Sequence, residues 1–253
     1  MKKFLLYLTV LIPLSCQSGS SPQGNGTTPP SHQLWNELLN KNVDAQGMVD
    51  YEGFIRSKQQ LQQYLDKLSN TPPDPETWSD AEQLAYWINA YNAFTVKLII
   101  DNYPVESITA LHPTLNVPGL NTVWHKKFFK IGGQESSLDE IEHDILRKQF
   151  KDPRIHFAIV CASFSCPPLR QEAYNAQRLD SQLEEQAVRF INDPRRNKLS
   201  TSNVQLSKIF RWFREDFTRD GSLISFLNRY ANTKLESDAK ISYLDYDWKL
   251  NKQ

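Results

Sequence analysis

Apolar positions recur at helical spacing through most of the chain from residue 32 onward. In QLWNELLNKNV, Leu34, Trp35, Leu38 and Leu39 share one face, and Ile55, Leu61, Tyr64, Leu65 and Leu68 do the same in IRSKQQLQQYLDKLSN. Prolines in TPPDPETWSD end that helix, and Ser79 or Asp80 is placed to cap the next. The longest pattern is AEQLAYWINAYNAFTVKLIIDNYP, where Leu84, Trp87, Ile88, Tyr91, Phe94, Thr95 and Leu98 form a broad apolar face and Pro104 lies just beyond the end. SLDEIEHDILRKQF opens on a capping box, Ser137 with Glu140, and presents Leu138, Ile141, Ile145 and Gln149 as its core face. LDSQLEEQAVRFIND and GSLISFLNRYA read as further helices, and RWFREDF as a short helix or turn.

Strand patterns are fewer. WHKKFFKIGGQESSL reads as a strand with a Gly-Gly turn, and NVQLSKIF and KISYLDYDWKLN as later strands. After Asp152-Pro153, Ile155, Phe157 and Ile159 alternate with His156, Ala158 and Val160. Both sets are mostly apolar, the pattern of a central strand buried on two faces. Helices alternate irregularly with these strands and no internal repeat is present. The expected fold class is therefore α+β (mixed α/β): one domain, several helices around a small sheet, with a papain- or transglutaminase-like arrangement as one form of it.

Two amides interrupt the long helix. Asn92 falls on its apolar face and is expected to bind a backbone group of another element, because an unpartnered buried amide costs about 1–3 kcal/mol. Glu82, Tyr86 and Asn89 line an adjoining polar stripe, read either as a structural clamp or as a stripe that orients something in a cleft.

The N-terminus has a different character. MKKFLLYLTVLIPLSC carries two lysines, a short apolar run and a small residue before a cysteine, which describes a secretory signal. The run is too short to span a bilayer. Cys16 directly after Ser15 points to a lipoprotein signal at 1–15 with Cys16 as the lipidation site, although Pro13 stands where leucine is usual. An ordinary cleaved signal is the alternative. Gln17 after the cysteine suggests the outer membrane. Residues 16–31 hold no large apolar side chain and read as a disordered tether, with the globular domain at 32–253. The expected setting is the cell envelope, the domain facing an extracytoplasmic space and held to a membrane through lipid. With formal net charge zero and no basic stripe, nucleic acid is excluded as a partner; an envelope peptide or glycan is the expected ligand class.

The segments VDYEGF, AYWINAYNAFTVKLI, YPVESI, SLDEIEHDILR, DPRIHFAIVCASFSCPPLR, LSKIFRWFREDF and LDYDWKLN, in this order between Trp35 and Asn251, resemble the domain-of-unknown-function 547 (DUF547) family. The resemblance implies a family found in bacterial envelope and eukaryotic proteins, without an established activity. It transfers no catalytic residue.

The candidate chemistry is concentrated in CASFSC. A nucleophilic Cys161 or Cys166 needs a base, for which His143 and His156 are available, and an orienting group, for which Asn89 or Glu82 stands in the polar stripe. That constellation belongs to a thiol hydrolase or acyl transferase. Its spacing differs from known local signatures, and His156 and Cys161 lie on opposite faces of a regular strand. The same cysteines also read as a disulfide closing a short loop or as buried packing, in a non-catalytic binding or scaffold domain. His112, His125, His143 and His156 are scattered, and the adjacent Glu142, His143 and Asp144 do not converge on one ion, so no metal is expected. No phosphate loop, nucleophile elbow or dinucleotide fingerprint is present, so no cofactor is expected.

Overall fold

A computed structural model describes residues 27–115, 117 and 121–253. The signal segment, Cys16 and most of the expected tether lie outside the described residues. At the tether's last stretch, the Thr27 carbonyl accepts a hydrogen bond from Trp78 Nε1 at 2.5 Å, which ties that end to the domain.

The core is built on α4 (Asp80–Asp101), the long apolar helix of the sequence. Its start is a capping box: Ser79 accepts from the Glu82 amide while the Glu82 carboxylate accepts from the Ser79 amide at 2.8 Å. Three helices cover one side: α1 (Gln33–Asn42), α2 (Tyr51–Arg56) and α3 (Lys58–Asn70). Trp35 of α1 stacks on Tyr64 of α3, ring centres 5.8 Å apart, and the Tyr86 hydroxyl of α4 donates to the Leu68 carbonyl at 2.7 Å. A hairpin follows, β1 (Phe129–Ile131) antiparallel to β2 (Gln134–Ser136). Gly132 and Gly133 turn it with φ of 59° and 79°, a left-handed pair that residues with a Cβ rarely adopt.

Glu140–Phe150 is a π-helix, and Ser137 and Glu140 form the expected reciprocal cap at its start. The wider turn shifts its inner face. Leu138 and Ile141 are buried as expected, but Leu146 is buried where Ile145 was expected, and Gln149 is exposed.

The expected central strand after Pro153 is absent. Pro153–Phe157 is a single 3-10 turn, and the chain then runs on irregularly, with one isolated antiparallel bridge from Ser163 to Leu250. Its apolar pattern is real, since Ile155, Phe157, Ile159 and Val160 are all buried. Side chains supply several of its backbone partners. Asn92 Nδ2 donates to the Ala158 carbonyl at 3.0 Å while its oxygen accepts from the Val160 amide at 2.9 Å. From α5 (Leu179–Ile191), Gln186 Nε2 donates to the carbonyls of Phe157 at 3.1 Å and Pro168 at 3.0 Å. Asn89 holds Tyr174 in the same two-handed way, at 2.8 and 3.0 Å. The polar stripe of α4 is therefore a clamp.

Beyond α5 lies a second apolar cluster. It comprises the sheet β3 (Lys198–Leu199), β4 (Asn203–Leu206) and β5 (Lys240–Tyr243), with α6 (Ile209–Trp212), α7 (Arg214–Phe217) and α8 (Leu223–Leu227). β4 pairs antiparallel with β3 and parallel with β5, the helices making the crossover. Phe157, Phe190, Phe210, Phe217 and Phe226 fill it. Phe157 belongs to this cluster while its neighbours Ile155 and Ala158 belong to the first, so Pro153–Cys166 forms the seam between the two. The fold is mixed, a single domain with small sheets among helices.

Asn92→Ala leaves one buried carbonyl and one buried amide without partners. An expected loss of about 2–4 kcal/mol, against a much smaller one for Glu82→Gln at the exposed cap, is readable by urea denaturation. Equal losses would refute the clamp.

Candidate functional site

The seam opens into a cleft of about 350 Å³. Several parts of the chain converge on it, the Thr122–His125 segment among them. Tyr91 comes from α4, and Asp139, Glu142 and His143 from the start of the π-helix. His156, Ile159, Cys161 and Cys166 come from the seam itself, and Trp212, Phe213, Tyr246 and Trp248 from α6 and the last strand's tail.

Cys161 and Cys166 are joined as a disulfide, Cα atoms 6.1 Å apart. Ala162 holds a φ of 61° where the chain turns back between them. Cys166 is 1 % exposed, whereas Cys161 is half-buried. Three donors surround Cys166 Sγ: the Cys161 amide at 3.0 Å, Ser163 Oγ at 3.3 Å and the Tyr246 hydroxyl at 3.3 Å. Cys161 Sγ lies 3.4 Å from both of those hydroxyls. Burial raises the Tyr246 phenol well above its ordinary value, so it keeps its proton and remains a donor. Arg196, itself buried, anchors the loop by donating to the carbonyls of Cys166 at 2.6 Å and Phe164 at 3.1 Å. The tail closes over it: Phe164 and Ser165 donate to the carbonyls of Lys249 and Asp247 at 2.7 and 3.2 Å.

Beneath the cleft runs a chain of titratable groups. His156 stacks on Phe213, ring centres 3.9 Å apart, and its Nε2 lies 2.7 Å from Asp216 Oδ2. Arg147 Nε donates to the same carboxylate at 2.6 Å. Burial pushes the Asp216 carboxyl up, but the hydrogen bonds from His156 and Arg147 outweigh it and hold it well below the usual range. Burial also holds the His156 pKa below its ordinary 6.5 against the pull of Asp216. His156 is thus a neutral ring with its proton on Nε2, toward Asp216. Its Nδ1 faces Glu142 Oε1 at 3.9 Å. Glu142 accepts from the Tyr91 hydroxyl at 3.2 Å, and burial raises its pKa to about 7.

His143 is tied differently. Arg147 Nη1 lies 2.8 Å from its Nδ1, and an arginine can only donate, so that nitrogen carries the lone pair. Its Nε2 faces Asp139 at 3.6 Å, as does His125 Nε2 at 3.4 Å. Burial lowers the His143 pKa.

Of the six residues expected from the sequence to form a catalytic group, Cys161, Cys166, His143 and His156 meet in one cleft. The other two do not. Glu82 spends its carboxylate on the cap of α4, where the hydrogen bonds from Ser79 lower its pKa, and Asn89 is fully buried against Tyr174. The bridged sulfurs carry no thiolate, and the basic nitrogens of both imidazoles face Arg147 and Glu142 rather than sulfur. Ser163, Tyr246, Asp216 and the tryptophans complete the site. Ser163 stood inside CASFSC, but Tyr246 and Asp216 lie 80 and 50 residues beyond Cys166 with no local motif to mark them. Among the described residues, no group of three or more His, Cys, Asp or Glu is arranged to hold a metal ion.

The raised Glu142 pKa has a signed consequence. Between its ordinary 4.5 and about 7 the folded chain holds a proton that the unfolded chain releases, so this group makes stability fall as pH rises through that window. His143 and His156, both lowered, act in the opposite direction below 6.5, and Tyr91, Arg147, Asp139 and Asp216 surround the carboxyl. The stability difference between Glu142→Gln and the native chain, from urea unfolding at pH 5 to 8, is therefore expected to move in the variant's favour up to about pH 7 and then level. A difference flat across the range means an ordinary carboxylate.

No curated protein and no solved structure matches the chain. A family model does, over the segment that carries α4, the π-helix, both bridged cysteines and α5; Trp212, Asp216, Tyr246 and Trp248 lie beyond it. Residues 75–191 match the family described as protein of unknown function, DUF547.

Proposed function

We propose that the chain is a binding domain of the cell envelope, held to a membrane, with the outer membrane as the preferred site, through lipid on Cys16, and that its cleft receives a glycan fragment. The observation that carries this reading is the wall of the cleft. Trp212 is 46 % exposed and lies nearly parallel to Trp248, ring centres 5.8 Å apart, with Tyr246 4.5 Å from Trp248. Accessible indole faces suit the apolar faces of sugar rings. Asp139, Glu142, His125 and His143 offer acceptors and donors to hydroxyls opposite them. The volume is within the range of small-ligand sites. With the cysteines bridged, the chemistry of the cleft is recognition.

A second reading rests on a separate observation. Glu142, poised near neutrality, shares the cleft with Cys161, so reduction would put a thiol in the same cleft as a group able to move a proton. This is the thiol hydrolase or acyl transferase acting on an envelope peptide or amide.

Calorimetry with soluble peptidoglycan fragments tests the first reading. Binding is expected, about tenfold weaker for Trp212→Ala and within about twofold for Cys161→Ala/Cys166→Ala if recognition is independent of the thiols. Absence of binding to any fragment sinks it. For the second, chromogenic esters and amides are offered to oxidised and reduced protein. Turnover that requires reduction and disappears in Cys161→Ser supports hydrolysis, and identical rates in all three refute it.

A further inference from the structure

The surroundings of Cys166 are unusual for a bridge that only staples a loop. A sulfur in a disulfide is a weak acceptor and needs no partners, yet a backbone amide and two hydroxyls stand at 3.0–3.3 Å from this one. The hydroxyls are also 3.1 Å from one another, Ser163 donating to Tyr246. Each owns a single rotatable hydrogen, so both can turn toward Cys166 Sγ when it gains charge. This is the arrangement that stabilises a thiolate. Both cysteines line the cleft, but the donors converge on Cys166, which is 1 % exposed, while Cys161 is half-buried and so the more accessible of the two.

We infer that the Cys161–Cys166 bond is exchange-active: a low-molecular-weight thiol entering the cleft attacks Cys161 Sγ, and Cys166 departs as a thiolate held by the Cys161 amide, Ser163 and Tyr246. In the first step the thiolate sulfur bonds to Cys161, the Cys161–Cys166 bond breaks, and its electron pair passes to Cys166. In the second a further thiolate attacks the outer sulfur of the mixed disulfide and releases Cys161. Two external thiols become one disulfide, and the protein gains two electrons and, on protonation, two protons. The same steps run backward with a small disulfide restore the bridge. Leaving-group thiols of lower pKa depart faster, which is what the three donors provide. The inference is independent of glycan recognition, since it requires no ligand other than the thiol.

The test uses the oxidised full chain in glutathione buffers, quenched by alkylation and mapped by mass spectrometry, which reads Cys161 and Cys166 apart from Cys16. Native protein is expected to equilibrate with the buffer without unfolding, and Cys166→Ser to carry glutathione on Cys161. Tyr246→Phe and Ser163→Ala are each expected to slow exchange about tenfold and to raise the alkylation pKa of Cys166 in the reduced protein by about one unit, the scale of a lost hydrogen bond to a charged group. A structural role alone leaves that pKa unchanged. Tyr246→Phe keeps its ring, and carries the test if Ser163→Ala fails to fold. The inference is overturned if the bridge resists glutathione until the protein is denatured. It is equally overturned if Cys161→Ser takes glutathione on Cys166 as readily as Cys166→Ser does on Cys161, or if both hydroxyl variants exchange at the native rate.

Discussion

A buried backbone without a strand beside it must find its hydrogen bonds elsewhere, and the rest of the molecule is arranged around meeting that requirement. From Phe157 to Tyr174 the chain crosses the interior with almost no ladder. Asn89 and Asn92 of α4 and Gln186 of α5 each reach across and satisfy it with side-chain amides, assisted by Arg196. An amide carries a donor and an acceptor on one rigid plane, so a single asparagine can imitate one rung of a sheet. Because these residues sit on two helices, the position of the cysteine loop is fixed by the helices and not by a sheet.

That geometry explains where the cleft lies. A central sheet would have fused the two apolar clusters into one continuous core. With amide clamps instead, the clusters meet along Pro153–Cys166 and along α5, and the groove between them opens beside the tail and α6. The polar groups of the π-helix then line one wall and the aromatic residues of the last strand's tail the other. His156, between them, is held neutral by burial while Asp216 stays ionised beneath it.

Much of this was legible in the sequence. The apolar spacing of α4, the cap at its start, the capping box of Ser137 and Glu140, the Gly-Gly hairpin and the buried role of Asn92 follow from local pattern, because each depends on residues a few positions apart. The segment IHFAIV misleads for a physical reason: hydrophobic alternation reports burial on two sides, and burial does not reveal whether the backbone partner is a strand or an amide. The π-helix misleads in register, since its wider turn buries Leu146 in place of Ile145. Half of the cleft was out of reach. Trp212, Asp216, Tyr246 and Trp248 join Cys161 only through tertiary packing, and nothing in their own neighbourhoods distinguishes them from core aromatics and surface acids.

The tail also sets an order in time. Its hydrogen bonds run from Asn251 to Val49 and Ala162, and from Asp247 and Lys249 to the cysteine loop, linking residues up to about two hundred positions apart. A chain emerging from its N-terminus therefore presents Cys161 and Cys166 well before Tyr246 exists to face them. For that interval the two sulfurs are ordinary solvent-exposed thiols, free to pair with each other or with a stranger. Only when the strap arrives does the surrounding protein begin to discriminate one sulfur from the other.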